Sequence, residues 1–133
     1  VIMQQGGATN WVSKLQTVVA LSTTEAEYTA VSSAAQEIVY QRQLHLSLLN
    51  EIDGPTKLFN DNSGCIALAH NPVMHKRTKH LSIKQHFIRS QVEAGIVDLK
   101  YCPTKHMIAD ILTKAVTKAI NNELSDIMLG YQI

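Results

Sequence analysis

The sequence predicts an α/β domain in which a mixed sheet is flanked by helices. Three observations lead there. Short alternating or apolar stretches are interspersed with helical ones. One helical stretch, from Ser22 to about Leu49, contains no Gly or Pro and carries small alanines beside its apolar stripe. At 133 residues and 45% hydrophobic content, the chain has enough apolar material for one core and too little for two domains.

Taken in order, VIMQQ, the Gly6-Gly7 turn signal and ATNWV read as a short hairpin or a pair of strand ends. Ser13 to Thr17 is a polar link. Ser22, Thr23 and Thr24 are good helix caps, with two overlapping capping-box spacings, Ser22 with Glu25 and Thr24 with Glu27. In the long helix that follows, Tyr28, Val31, Ala35, Ile38, Leu46 and Leu49 recur at helical intervals. Asp53-Gly54-Pro55 breaks the chain before a short strand, Thr56 to Asn60. Asn62 and Ser63 cap a short helix, Gly64 to His70, which Asn71-Pro72 stops. A basic loop leads into a helix from about His80 to Ala94, striped by Ile83, Phe87, Ile88 and Val92 and ended by Gly95. Ile96 to Tyr101 alternates as a strand. Pro103-Thr104 opens a helix through Met107, Ile108, Ile111 and Leu112, and residues 117–133 form a last amphipathic helix and tail.

No apolar run approaches the roughly 18–20 residues that cross a bilayer, and the first residues lack a basic segment and an apolar signal core. Membrane and secretory classes are therefore not expected, and the expected location is intracellular. The two cysteines, Cys65 and Cys102, lie far apart outside any CxxC pair and read as reduced thiols. The net charge of +1 says little, but its distribution says more. His75, Lys76, Arg77, Lys79, His80, Lys84 and Arg89 gather in a stretch with no acidic residue between Asp61 and Glu93. Such a cluster suits a phosphate backbone, and it suits a solvated basic face equally well.

Three acidic residues stand where chemistry often sits: Glu27 in the first turn of the long helix, Asp61 where a strand enters a helix, and Asp110 in the first turns after the last strand. Carboxylates drawn from strand ends and helix starts can converge at one sheet edge and bind hard divalent cations through oxygen. Two such ions roughly 4 Å apart can activate water and stabilise the leaving oxygen of a phosphodiester. Each residue also has a structural reading. Glu27 can close a capping box with Thr24, Asp61 can be an N-cap, and Asp110 can face solvent. Spacing alone does not choose. The histidines His70, His75, His80 and His86 follow one another at five, five and six residues, which matches neither HxxxH on a helix nor a zinc finger.

Longer strings carry a resemblance. NWVSKLQTVVALSTTEAEYTAVSSAAQE is similar to a signature in which a tryptophan-containing strand leads through SKxQ to VALSTTEAEY and an alanine-rich helix. FNDNSGCIALAHNPVMHKRTKHLSIKQHFIR resembles a strand ending in DN followed by an NP–HxRTKHIDIxxHFIR run, and VDLKYCPTKHMIADILTKAV resembles a closing strand, a proline turn and an ADxLTK helix. Together, and collinear over nearly the whole chain, they resemble the ribonuclease H domain of copia-type LTR retrotransposon Pol polyproteins. The resemblance implies a ribonuclease H-like fold and cleavage of the RNA strand of RNA–DNA hybrids by metal-activated water. It implies that Glu27, Asp61 and Asp110 are catalytic ligands to two Mg²⁺ ions, with Glu25 left to helix capping. It implies an RNA–DNA hybrid and an upstream reverse transcriptase as partners, and a sheet position in the core for Trp11. The basic run itself reads Lys76, Arg77, Lys79 and His80 as contacts to nucleic-acid phosphate, with His80 equally readable as a helix-capping histidine packed near the core.

The chain departs from the family pattern in one large respect. The family's first catalytic aspartate lies on a central strand upstream of the tryptophan strand, and no DADWAGD-like string occurs in residues 1–133. Residues 1–12 match the second and third strands. The expectation is therefore a single ribonuclease H-like domain over 1–133, incomplete at its N-terminus, with weak Mg²⁺ binding and little hydrolysis. Ser82 also stands where the family carries aspartate in KHIDI. A non-catalytic nucleic-acid-binding or interaction domain derived from a retrotransposon is the alternative.

Overall fold

A computed structural model describes residues 1–17, 19–70 and 79–131, without the side chains of 79–82. Lys76 and Arg77 of the predicted phosphate-binding set therefore lie outside the described residues, as do His75 and the helix stop at Asn71-Pro72. The side chains of Lys79, His80 and Ser82 also lie outside. The described chain forms two compact units. One comprises residues 1–17 and 103–133, and the other residues 18–102.

In the larger unit, α1 spans Thr23–Leu49. Ser22 has extended backbone and its hydroxyl accepts the Glu25 N–H at 3.1 Å. The Glu25 carboxylate reaches back to the Leu21 N–H at 2.7 Å, so two orphan donors of the first turn are satisfied. Asn50 ends the helix in the left-handed region at φ 55° and donates to the Leu46 carbonyl. The stripe Tyr28, Val31, Ala35 and Ile38 is buried, but Leu46 and Leu49 of the predicted stripe are exposed. Geometry explains the difference. Twenty-seven helical residues extend about 40 Å, whereas the five-residue strands they pack on reach only about 17 Å.

Those strands are β3 (Thr56–Asn60) and β4 (Val97–Tyr101), which pair in parallel with Thr56 opposite Val97 and Asn60 opposite Tyr101. Between them run α2 (Ser63–His70) and α3 (Lys79–Glu93). Gly95, at φ 67°, supplies the left-handed turn into β4. Alternation puts Leu58, Val97 and Leu99 toward the helices and Lys57, Phe59, Asp98 and Lys100 on the other face. The core joins Tyr28, Val31, Cys65, Ala69, Ile88 and Leu99. It continues through Ala35, Ile38 and Val97, with Leu58 and Phe87 packing on both groups. Arg42 ties the loop before β3 to α1, donating to the Gly54 carbonyl at 2.7 Å and the Thr56 hydroxyl at 3.0 Å.

In the smaller unit, β1 (Ile2–Gln4) and β2 (Gly7–Asn10) form an antiparallel hairpin. Its turn residues, Gln5 and Gly6, both have positive φ, as tight hairpins require. The last helix, α4, covers Lys118–Leu129, capped by the Thr117 hydroxyl and by Gly130 at φ 77°. A Cβ on Gly130 would lie 3.3 Å from the Gly6 carbonyl oxygen, so the hairpin turn and the end of α4 meet at glycines. Ser13 Oγ donates to the Leu112 carbonyl at 2.9 Å.

The α/β class of the sequence reading holds, with parallel and antiparallel pairings both present, each in its own two-stranded ribbon. Two further local expectations need correction. The helix predicted after Pro103 is a pair of 3₁₀ turns, Thr104–His106 and Ile108–Leu112, interrupted by extended backbone at Met107. Its apolar residues recur every three or four positions, a spacing that 3₁₀ and α turns share over so short a run. Trp11 is 58% exposed rather than core, because β2 ends at Asn10 and residues 11–17 carry no regular secondary structure.

Candidate functional site

Glu27 lies in the first turns of α1, one residue before the fully buried Tyr28, and its carboxylate is half-buried against the end of β3. Its Oε2 accepts a hydrogen bond from Asn60 Nδ2 at 3.0 Å. The capping box with Thr24, which could have accounted for Glu27, is not formed; Ser22 and Glu25 do the capping. Glu25 therefore has the structural role the family pattern gives it.

Asp61 follows Asn60 directly and is half-buried at the β3–α2 junction. Asn60 Oδ1 accepts the Asn62 N–H at 2.8 Å, a local turn closed by a side chain. Asn62 Oδ1 in turn accepts the Cys65 N–H at 3.0 Å and caps α2. The N-cap role open to Asp61 thus belongs to Asn62. At the other side of the turn, the Asn60 carbonyl accepts the Cys102 N–H at 2.9 Å. Glu27 and Asn60 therefore meet where the start of a helix and the end of a strand come together, with Asp61 next along the chain.

The electrostatics of this junction reach the core. Burial pushes the Cys65 thiol up from its ordinary 9.0 to about 12, and the Glu27 carboxylate adds to the rise. Burial likewise raises the Tyr28 phenol from 10.0 to about 12, with Cys65 adding and Arg89 opposing. Both groups are neutral at physiological pH and serve as core. Neither the buried Cys65 nor Cys102 forms a disulfide among the described residues.

Asp110 belongs to the smaller unit, within the second 3₁₀ turn. Its side chain is 13% exposed and pairs with Lys114, whose ammonium lies 2.9 Å from one carboxylate oxygen and 3.0 Å from the other. It is thus neither a solvent-facing residue nor a helix cap. Of the predicted nucleic-acid contacts, only the backbone of Lys79 and His80 is described, in the first turn of α3. Further along that helix, Lys84 Nζ donates to the Thr29 hydroxyl of α1 at 3.1 Å and brings a cation beside the start of α1.

The donor chemistry at the α1–β3 junction fits a hard divalent cation. Glu27 and Asp61 offer carboxylate oxygens, and Mg²⁺ takes one or two carboxylates with water and phosphate oxygens completing its shell. Among the described residues no three His, Cys, Asp or Glu side chains form a metal-binding group. An apolar groove lined by Val39, Arg42, Leu46 and Ile96 lies along the C-terminal half of α1, on residues other than these carboxylates. Among the described residues no helix is long and apolar enough to cross a membrane.

Asn60 is the residue that reading the sequence missed. As the polar last residue of a short strand it looked like a strand end, and nothing in the sequence pairs it with a glutamate 33 positions away.

No protein-family model matches the chain, and no solved structure does. Curated relatives do. The chain is 37% identical over 109 residues to the Retrovirus-related Pol polyprotein from transposon RE2 of Arabidopsis thaliana, covering 82% of this chain and 8% of that polyprotein. It is 38% identical over 109 residues to the corresponding polyprotein from transposon RE1 of the same plant, covering 82% and 7%. It is 37% identical over 113 residues to that from transposon TNT 1-94 of Nicotiana tabacum, covering 85% and 8%. Over most of its length, the chain is a homologue of a short segment of retrovirus-related Pol polyproteins from plant transposons.

Proposed function

We propose that the chain is the ribonuclease H region of a retrotransposon Pol polyprotein, acting on the RNA strand of RNA–DNA hybrids. The observation that supports this reading is the Glu27–Asn60 hydrogen bond, which joins the start of α1 to the end of β3 one residue before Asp61. Kinship with retrovirus-related Pol polyproteins supports it, because reverse transcription produces RNA–DNA hybrids.

In this reading Glu27, Asp61 and Asp110 would hold Mg²⁺. Bound there, the metal would acidify the attacking water and stabilise charge on the scissile phosphate. The residues themselves do three things. Glu27 and Asp61 present hard oxygens from rigid element ends, so little ordering is left to the binding step. Lys114 neutralises Asp110 when no cation does, which lowers the cost of keeping that carboxylate largely buried. The basic run that includes Lys76, Arg77, Lys79 and His80 would track the phosphate backbone and set the salt dependence of binding.

In this reading the chain binds a hybrid, and any cleavage depends on Mg²⁺ and on Asp61. A gel assay with labelled hybrid and Mg²⁺ tests this, using the chain and its Asp61→Asn variant. Retention on the hybrid that weakens steeply with salt, and falls further when Lys76, Arg77 and Lys79 are neutralised, is expected of either reading. Binding in that pattern, with no cleavage under any extension of the chain, would favour a non-catalytic nucleic-acid-binding module.

A further inference from the structure

Asn60 is 5% exposed, a polar side chain on the helix-facing side of β3 where alternation would otherwise put an apolar one. A buried amide is costly unless both its ends are bonded. Here they are. Nδ2 donates to the Glu27 carboxylate and Oδ1 accepts from the Asn62 N–H. The two partners also fix which way the amide faces, since a carboxylate only accepts and a backbone N–H only donates. No apolar residue or aspartate can replace both bonds. Among the described residues no other hydrogen bond to the Glu27 carboxylate is present.

We infer that Asn60 is a positioning residue for divalent-cation binding. It holds Oε2 of Glu27 against the end of β3, leaves Oε1 as the oxygen offered to a hard cation, and through Oδ1 fixes the turn that carries Asp61. One side chain thus sets two carboxylates from two elements in register. The inference rests on the reading of Glu27 as a cation ligand. Its consequence is that Asn60 controls cation affinity without touching the cation, as hydrogen-bond partners of metal ligands generally do, at about 10- to 100-fold in affinity.

Mn²⁺ titration of the 133-residue chain, followed by water-proton relaxation, tests it with wild type, Asn60→Leu, Glu27→Gln and the double variant. The expected result is a loss of about 10-fold or more for Asn60→Leu, and a distinctly smaller further loss, the share carried by the Asp61 turn, when it is added to Glu27→Gln. An unchanged affinity in Asn60→Leu beside a weakened Glu27→Gln would overturn the positioning role and leave the cation site standing. An unchanged affinity in Glu27→Gln would overturn the cation reading itself, and this inference with it. Equal losses from Asn60→Leu in both backgrounds would show that Asn60 does not act through Glu27. If Asn60→Leu fails to fold, the wild-type chain supplies the second measurement. The Asn60 side-chain amide resonances should shift on Mg²⁺ addition with the midpoint of the binding isotherm, and stay still in Glu27→Gln. Resonances that do not move in wild type at saturating Mg²⁺ would contradict the inference.

Discussion

Glu25 and Glu27 sit two residues apart in one turn of α1 and have different tasks. Glu25 turns back to the Leu21 N–H and closes the cap, while Glu27 turns toward the end of β3 and Asn60. Replacing Glu25 by alanine is expected to lower stability by about 0.3–1.5 kcal/mol, measured by urea unfolding, and to leave Mn²⁺ affinity unchanged. Glu27→Gln should show the reverse pattern. A second residue-scale prediction concerns alkali. The Cys65 thiol has a pKa of about 12 in the folded chain against 9.0 ordinarily, so the folded state keeps a proton that the unfolded state releases. Its contribution to stability is complete below 9.0 and is lost as pH rises from there toward about 12, with Tyr28 adding to the loss above 10.0. Unfolding midpoints taken at about pH 8 and about pH 10.5 should fall more for wild type than for Cys65→Ala. At this scale the sequence was informative about chemical type and blind to partnership. The caps were legible because capping is local; the Asn60 link was not, because a turn of helix and a strand end separated by 33 positions share no spacing rule.

At the scale of elements, glycines with positive φ mark where helices must stop, and Gly130 is the most constrained of them. Its φ of 77° disfavours any side chain, and its Cβ would crowd the Gly6 carbonyl. Gly130→Ala is expected to destabilise the smaller unit by about 1–2 kcal/mol, read as earlier loss of amide-exchange protection in β1, β2 and α4. Elements bounded by strong punctuation were legible in the sequence. Thr56–Asn60 follows a Gly-Pro breaker and enters an Asn cap, and it forms over those residues. The stretch after Pro103 was less so, because two 3₁₀ turns and one α-helix place Met107, Ile108, Ile111 and Leu112 in similar rows. Trp11 was misjudged for a different reason. Its burial would depend on the neighbours of a strand that ends one residue earlier, and no local pattern carries that information.

At the scale of the whole molecule, the α/β class follows from alternating elements, and the kinship follows from long strings rather than from any single residue. The 37–38% identity to plant transposon polyproteins spreads over 82–85% of the chain, yet the chain spans only 7–8% of those polyproteins. Function at this scale is the proposal that the segment supplies carboxylates for hybrid cleavage. A chimera tests it most directly: this chain preceded by the residues that come immediately before the matching segment in the RE1 polyprotein. It would be given an RNA–DNA hybrid labelled separately on each strand, with Mg²⁺. Cleavage is expected to be confined to the RNA strand and reduced at least about 100-fold by Asp61→Asn, the scale expected when a metal-ligating carboxylate is lost. A folded chimera that leaves both strands intact, or cleavage that survives Asp61→Asn, would contradict it.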